Sequence, residues 1–79
     1  MKKERRKIKW QDVKASMAGS VWKIVANEGQ SVTDGQDIII LESMKMEIPI
    51  AAEEAGTIKE LKVNEGDFVN EGDVLAVIE

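Results

Sequence analysis

Cysteine, histidine and tyrosine are absent from these 79 residues, proline and phenylalanine occur once each, and tryptophan twice. Without cysteine there can be no disulfide, no Cys-ligated zinc and no thiol nucleophile; without histidine the commonest metal ligand and general base is missing. Most catalytic constellations are thereby excluded, and no residue is assigned a catalytic or metal-binding role. Long apolar runs are lacking too: none approaches the roughly 18 residues that span a bilayer. The basic N-terminus is not followed by an apolar signal core. The expectation is a soluble, cytoplasmic protein with no membrane partner.

What is present suits one small domain. The apolar content is 43%, carried mostly by Val, Ile, Leu and Ala, so the core should be small and aliphatic. The net charge of −4 hides an asymmetry: residues 1–14 hold seven basic and two acidic residues, a net +5, which leaves −9 for the remainder. We divide the chain into a basic arm, residues 1–12, and a domain, residues 13–79. A charge run of this kind is ordinarily a solvated tail, so nucleic acid is not expected as a partner.

The domain is written twice. "AGSVWKIVANEGQSVTDGQDIIILE" (residues 18–42) aligns without a gap on "AGTIKELKVNEGDFVNEGDVLAVIE" (residues 55–79), an offset of 37. Ala18/Ala55, Gly19/Gly56, Asn27/Asn64, Glu28/Glu65, Gly29/Gly66, Val32/Val69, Gly35/Gly72 and Glu42/Glu79 are identical. Two copies are too few for a solenoid and imply halves related by a pseudo-twofold axis. Each half reads as β: the "NEG" and "TDG" triplets are turn signals, and we assign Gly19, Gly29, Gly35, Gly56, Gly66 and Gly72 to structural turns. Strands are expected at 21–26, 38–41, 58–63 and 74–78. No segment has a sustained 3.6-residue apolar period. The expected fold is all-β, a flattened barrel or sandwich around one aliphatic core. The same offset maps residues 47–50 onto 10–13, so Val13 should take the place in copy one that Ile50 takes in copy two. The basic arm then lies far from Lys45.

Between the copies stands "LESMKMEIPI". If Met44 and Lys45 are the two central residues of a tight hairpin, Ser43 faces Met46, Glu42 faces Glu47 and Leu41 faces Ile48. That register puts Leu41 and Ile48 on one face and both carboxylates on the other. It also throws Lys45 to the outermost point of the molecule. Neither central residue suits the turn, since Asn-Gly or Asp-Gly is preferred there and a non-glycine residue at positive φ costs about 1–2 kcal/mol. Two facing carboxylates cost stability as well. Several local rules broken at one exposed spot mark a functional site. Lys23, Lys59 and Lys62, by contrast, need no explanation beyond solubility. Trp22 aligns with Lys59, so its position tolerates charge and should be partly exposed; it either covers the sheet or contacts a partner. Trp10 lies at the junction of arm and body.

On these residues the chain resembles the biotin carboxyl carrier family, most closely its small stand-alone biotin/lipoyl attachment proteins. "ESMKME" is similar to that family's acceptor motif, usually Ala-Met-Lys-Met, with Ser43 in place of alanine; "ASMAGSVWKIVANEGQSVTDGQ" and "AAEEAGTIKELKVNEGDFVNEGD" resemble its flanking half-motifs. The resemblance covers nearly all of residues 13–79. It implies a barrel-sandwich hybrid of two four-stranded antiparallel sheets, with Lys45 as the biotinylated residue on a protruding hairpin. It further implies a non-catalytic carrier, probed by biotin protein ligase, biotin carboxylase and carboxyltransferase, and monomeric in isolation. Met44 and Met46 would be ligase contacts, and Glu42, Ser43 and Glu47 would complete the recognised hairpin. Ser16 and Ala18 stand where the family often has proline. Too few residues separate Asp37 from Glu42 for the "thumb" loop of some acetyl-CoA carboxylase carriers. Some stand-alone members accept lipoate as well as biotin. A lipoyl carrier typically shows Asp-Lys-Ala at the tip, so "MKM" favours biotin; an unmodified scaffold module usually carries a long helical insertion between the halves, where about a dozen residues stand here.

Overall fold

The computed structural model describes residues 10–79, and the part of the basic arm that precedes Trp10 lies outside the described residues. Eight strands follow one another: β1 (Gln11–Lys14), β2 (Gly19–Ile24), β3 (Ser31–Val32), β4 (Asp37–Ser43), β5 (Met46–Ala51), β6 (Gly56–Leu61), β7 (Phe68–Val69) and β8 (Val74–Ile78). They form two four-stranded antiparallel sheets, ordered β1-β8-β6-β3 and β5-β4-β2-β7. This is the all-β arrangement the repeat required. Among the described residues there is no helix, hence none long and apolar enough to cross a membrane.

Each sheet takes strands from both copies, with β7 of the second copy beside β2 of the first and β3 of the first beside β6 of the second. The halves are interlocked, and neither buries its apolar face alone. The pseudo-twofold shows in the core: Val21/Ile58, Ile38/Leu75, Ile39/Ala76, Leu41/Ile78, Val13/Ile50 and Val32/Val69 are pairs at the offset of 37, and both members of every pair are buried. Val13 thus occupies the counterpart of Ile50. It shows again in the backbone. Gly29 N–H donates to the Ile58 carbonyl at 2.8 Å, and Gly66 N–H donates to the Val21 carbonyl at the same 2.8 Å. The carboxylates of the two repeated glutamates cross between copies: Glu65 accepts from Ile24 N–H at 3.1 Å, and Glu28 accepts from Leu61 N–H at 2.9 Å. A carboxylate accepting from a strand amide is a charge-assisted bond. It explains why glutamate, rather than another turn residue, stands at the matched positions 28 and 65.

The turn assignments separate into two groups. Gly29, Gly35, Gly66 and Gly72 have φ between 85° and 95°, where an L side chain is strained. Gly19 and Gly56 are a correction: they open β2 and β6 and are strand residues, not turn residues. Their requirement is space. A Cβ on Gly19 would lie 2.7 Å from the Glu42 carbonyl oxygen, and one on Gly56 would lie 2.6 Å from Ile78 Cγ2 and 2.8 Å from the Glu79 carbonyl oxygen. Strands β2 and β6 therefore begin two residues earlier than the apolar pattern suggests, because the pattern cannot register a residue without a side chain. The single proline, Pro49, lies in β5 at the edge of its sheet, where a missing N–H removes no ladder bond.

Candidate functional site

β4 and β5 are consecutive and antiparallel, with Leu41 opposite Ile48, Glu42 opposite Glu47 and Ser43 opposite Met46. Only Met44 and Lys45 remain to turn the chain. Both have positive φ, 52° and 65°, and they are the only described non-glycine residues that do. A two-residue hairpin needs such values at both central positions, since that twist matches the twist of the flanking strands. The strain is held in place from below. Leu41 is fully buried between the sheets and Ile48 packs against the core, so the base of the hairpin is anchored while its tip projects. Burial of a leucine contributes about 1.5–3 kcal/mol, so Leu41 together with the partly buried Ile48 offsets the roughly 2–4 kcal/mol that two positive-φ residues cost. Replacing Met44 by asparagine, which visits the left-handed region readily, should stabilise the domain by about 1 kcal/mol. A thermal melt that failed to rise would show that the strain is not seated at this residue.

The tip is apolar around its one cation. Met44 is 90% exposed and Met46 63% exposed, and Lys45 between them is exposed as well. Among the described residues no hydrogen bond, ion pair or ring contact engages Lys45. Lys59 is held differently, with its Nζ 3.6 Å from Glu79 Oε1 and 4.9 Å from the centre of the Trp10 ring. Lys62 Nζ lies 3.2 Å from Glu60 Oε1. Glu42 and Glu47 are exposed beneath the tip, facing each other across the strand pair. Ser43 is half-buried at the last rung of the ladder. The structure thus gathers all six hairpin residues singled out from the sequence into one feature. An amine held away from other side chains, on a backbone with no freedom at the turn, suits the attachment of a carboxylic acid through an amide. Among the described residues no group of three or more Asp or Glu side chains could hold a metal ion.

Of two further exposed aromatics, the sequence offers Trp22 as a possible partner contact and does not offer Phe68. Trp22 lies in an irregularity of the β2–β4 register between Val21 and Lys23, and is 48% exposed; Lys59 occupies the matching irregularity of β6–β8 between Ile58 and Glu60. Phe68, on the two-residue strand β7 opposite Ser20, is 66% exposed. The alignment of Phe68 with Ser31 was the available signal.

Two interlocked β half-copies that present one lysine at the hairpin between them define the class of biotinyl and lipoyl domains. Comparison with known proteins gives the family. The model of the biotin/lipoyl family, described as "Biotin-requiring enzyme", matches residues 11–78, and the chain belongs to this family. It is 57% identical over 63 residues to the biotin/lipoyl attachment protein of Bacillus subtilis, covering 80% of this chain and 86% of that one. It is 43% identical over 68 residues to a homologue of biotinylated protein TB7.3 from Mycobacterium leprae, covering 86% of this chain and 96% of that one. The crystal structure of the Kluyveromyces lactis urea carboxylase superposes with a TM-score of 0.87 at 33% identity, over 100% of this chain and 7% of the carboxylase. The small relatives match the domain nearly end to end, whereas the carboxylase contains it as a minor part.

Proposed function

We propose that the protein is a carrier whose prosthetic group is biotin, joined through an amide to Nζ of Lys45. The observation that carries this reading is the isolation of Lys45, among the described residues, at the apex of the hairpin between the half-copies, on a left-handed turn that neither of its two central residues favours. A biotin protein ligase would present the acid activated as its adenylate. The Lys45 amine would attack the acyl carbon, the C–N bond would form, the nucleotide would leave, and the ligase would take the proton from the nitrogen. The amide abolishes the lysine charge and leaves the side chain as a flexible arm. Met44 and Met46 offer unbranched thioethers that adapt to a ligase pocket, while Glu42 and Glu47 give the hairpin a charged side by which ligases can be distinguished.

Biotin supplies one chemical capacity when bound, the acceptance and release of a carboxyl group. The chain supplies position. A biotin carboxylase and a carboxyltransferase would each meet the arm as a tethered partner, so that encounter is governed by effective concentration rather than by free diffusion. A rigid domain with one mobile arm suits that task. We assign the protein no catalytic step of its own, and we place it in the cytoplasm, where such carboxylases would act.

A second reading, attachment of lipoate to the same lysine, is favoured by the name of the B. subtilis relative, a biotin/lipoyl attachment protein. Intact mass separates the two. Protein from cells grown with biotin should gain one biotinyl group, protein from cells grown with lipoate should show whether a lipoyl group is added, and the Lys45→Ala variant should gain neither. Wild-type protein that stayed unmodified in both media would leave an unmodified scaffold as the surviving reading.

A further inference from the structure

The pseudo-twofold provides an internal control for every surface residue, because each position has a counterpart in the same fold. On the outer face of the sheet that ends in β1, the counterparts satisfy one another. The Lys59 ammonium lies over the Trp10 ring at 4.9 Å and against Glu79 at 3.6 Å. On the outer face of the sheet that bears Lys45, the equivalent positions hold Trp22 for Lys59, Glu47 for Trp10 and Glu42 for Glu79, together with Phe68 for Ser31 and Pro49 for Asp12. The cation has been replaced by an aromatic ring, and a polar position by a second one. Among the described residues, Trp22, Phe68, Glu42 and Glu47 make no ion pair, ring contact or side-chain hydrogen bond.

Registers join these side chains into one surface. Phe68 is opposite Ser20, Ser20 is opposite Glu42, and Glu42 is opposite Glu47, so a single row runs across β7, β2, β4 and β5. Trp22 stands two residues along β2 from that row. The row is apolar at one end and acidic at the other, and the rest of the domain is acidic too.

We propose that this face is a docking surface for the biotin carboxylase that acts on the group carried by Lys45, and that this partner offers an apolar seat flanked by arginine or lysine. The proposal rests on the carrier reading above. Charge decides the occupant: a second copy would bring Glu42 and Glu47 against like charges, whereas a basic rim complements them. Size agrees. Two aromatic rings, half to two-thirds exposed, offer on the order of 250 Å², well below the roughly 800 Å² per partner of a stable dimer. A small hot spot suits a carrier that must leave one active site for the next. The face lies on the same sheet as the lysine hairpin, so docking there presents the arm to the enzyme.

The fold itself supplies the test variants, since its other half accepts lysine and serine at the matching positions. Full-length protein, biotinylated on Lys45, is prepared as wild type and as Trp22→Lys, Phe68→Ser and the double variant, and is used as substrate for a purified biotin carboxylase with ATP and bicarbonate. The double variant should raise the KM for the carrier by about tenfold or more, with kcat and the rate of labelling by biotin protein ligase unchanged. An unchanged KM overturns the proposal. A labelling rate that falls as far as carboxylation assigns the face to the ligase instead, and self-association of wild type that the variants abolish assigns it to a second copy; either result overturns the proposal. Wild-type protein that is never labelled, or is labelled but never carboxylated, overturns the carrier reading first and this proposal with it.

Discussion

Arginine in place of Lys45 should abolish attachment and leave the fold as it is. The side chain is exposed and unpaired among the described residues, so the substitution disturbs no core contact, and arginine meets the same left-handed backbone requirement as lysine does. Only the chemistry changes. The guanidinium is delocalised and stays protonated, and cannot serve as an acyl acceptor. Intact mass after incubation with biotin, ATP and biotin protein ligase should read one added biotinyl group on wild type and none on Lys45→Arg, with superimposable thermal melts. The remaining lysines among the described residues test the assignment from the other side. Lys59 and Lys62 have carboxylate partners at 3.6 and 3.2 Å, and Lys23 and Lys14 lie within strands rather than at a projecting turn. If the arginine variant were labelled on any of these, the hairpin would lose its claim to be the acceptor.

How far the sequence determines this arrangement depends on what kind of signal each element carries. The repeat is legible because identical residues at a fixed offset meet identical constraints: the crossed bonds of Glu28 and Glu65 and the matched burial of Leu41 and Ile78 follow from it. The hairpin register is legible because a two-residue turn at Met44 and Lys45 puts Leu41 and Ile48 together on the inner face, and a slip of one residue would set an apolar residue opposite a charged one. Strands β3 and β7 are not legible, because two residues cannot show a period of two. Nor are the irregularities at Trp22 and Lys59, where two successive outward residues break the alternation. Such bulges shift the count on which strand reading depends. The docking face escapes the sequence for a different reason: Trp22 and Phe68 are 46 positions apart, and only the pairing of β2 with β7 brings them to one surface.

Gly19→Ala and Gly56→Ala should each destabilise the domain by about 1–3 kcal/mol, the range for forcing atoms into filled space, yet only the first should slow attachment. At Gly19 the added methyl meets the carbonyl oxygen of Glu42 at 2.7 Å and the Cβ of Ser43 at 3.3 Å. The atom met most closely is backbone, so no rotamer change relieves the contact, and β4 must move where it enters the lysine hairpin. At Gly56 the methyl meets Ile78 Cγ2 and the carbonyl oxygen of Glu79, the counterpart of Glu42, in the sheet that does not carry the lysine hairpin. Alanine also restricts the unfolded chain, which offsets about 0.4–1 kcal/mol of the loss. For a domain this small, each net kcal/mol should lower the melting temperature by about 4–8 °C. With both variants held well below their melting temperatures, the rate of ligase labelling should fall for Gly19→Ala and match wild type for Gly56→Ala. Equal rates in all three proteins would mean that the ligase reads the six hairpin residues alone, without the strand that supports them.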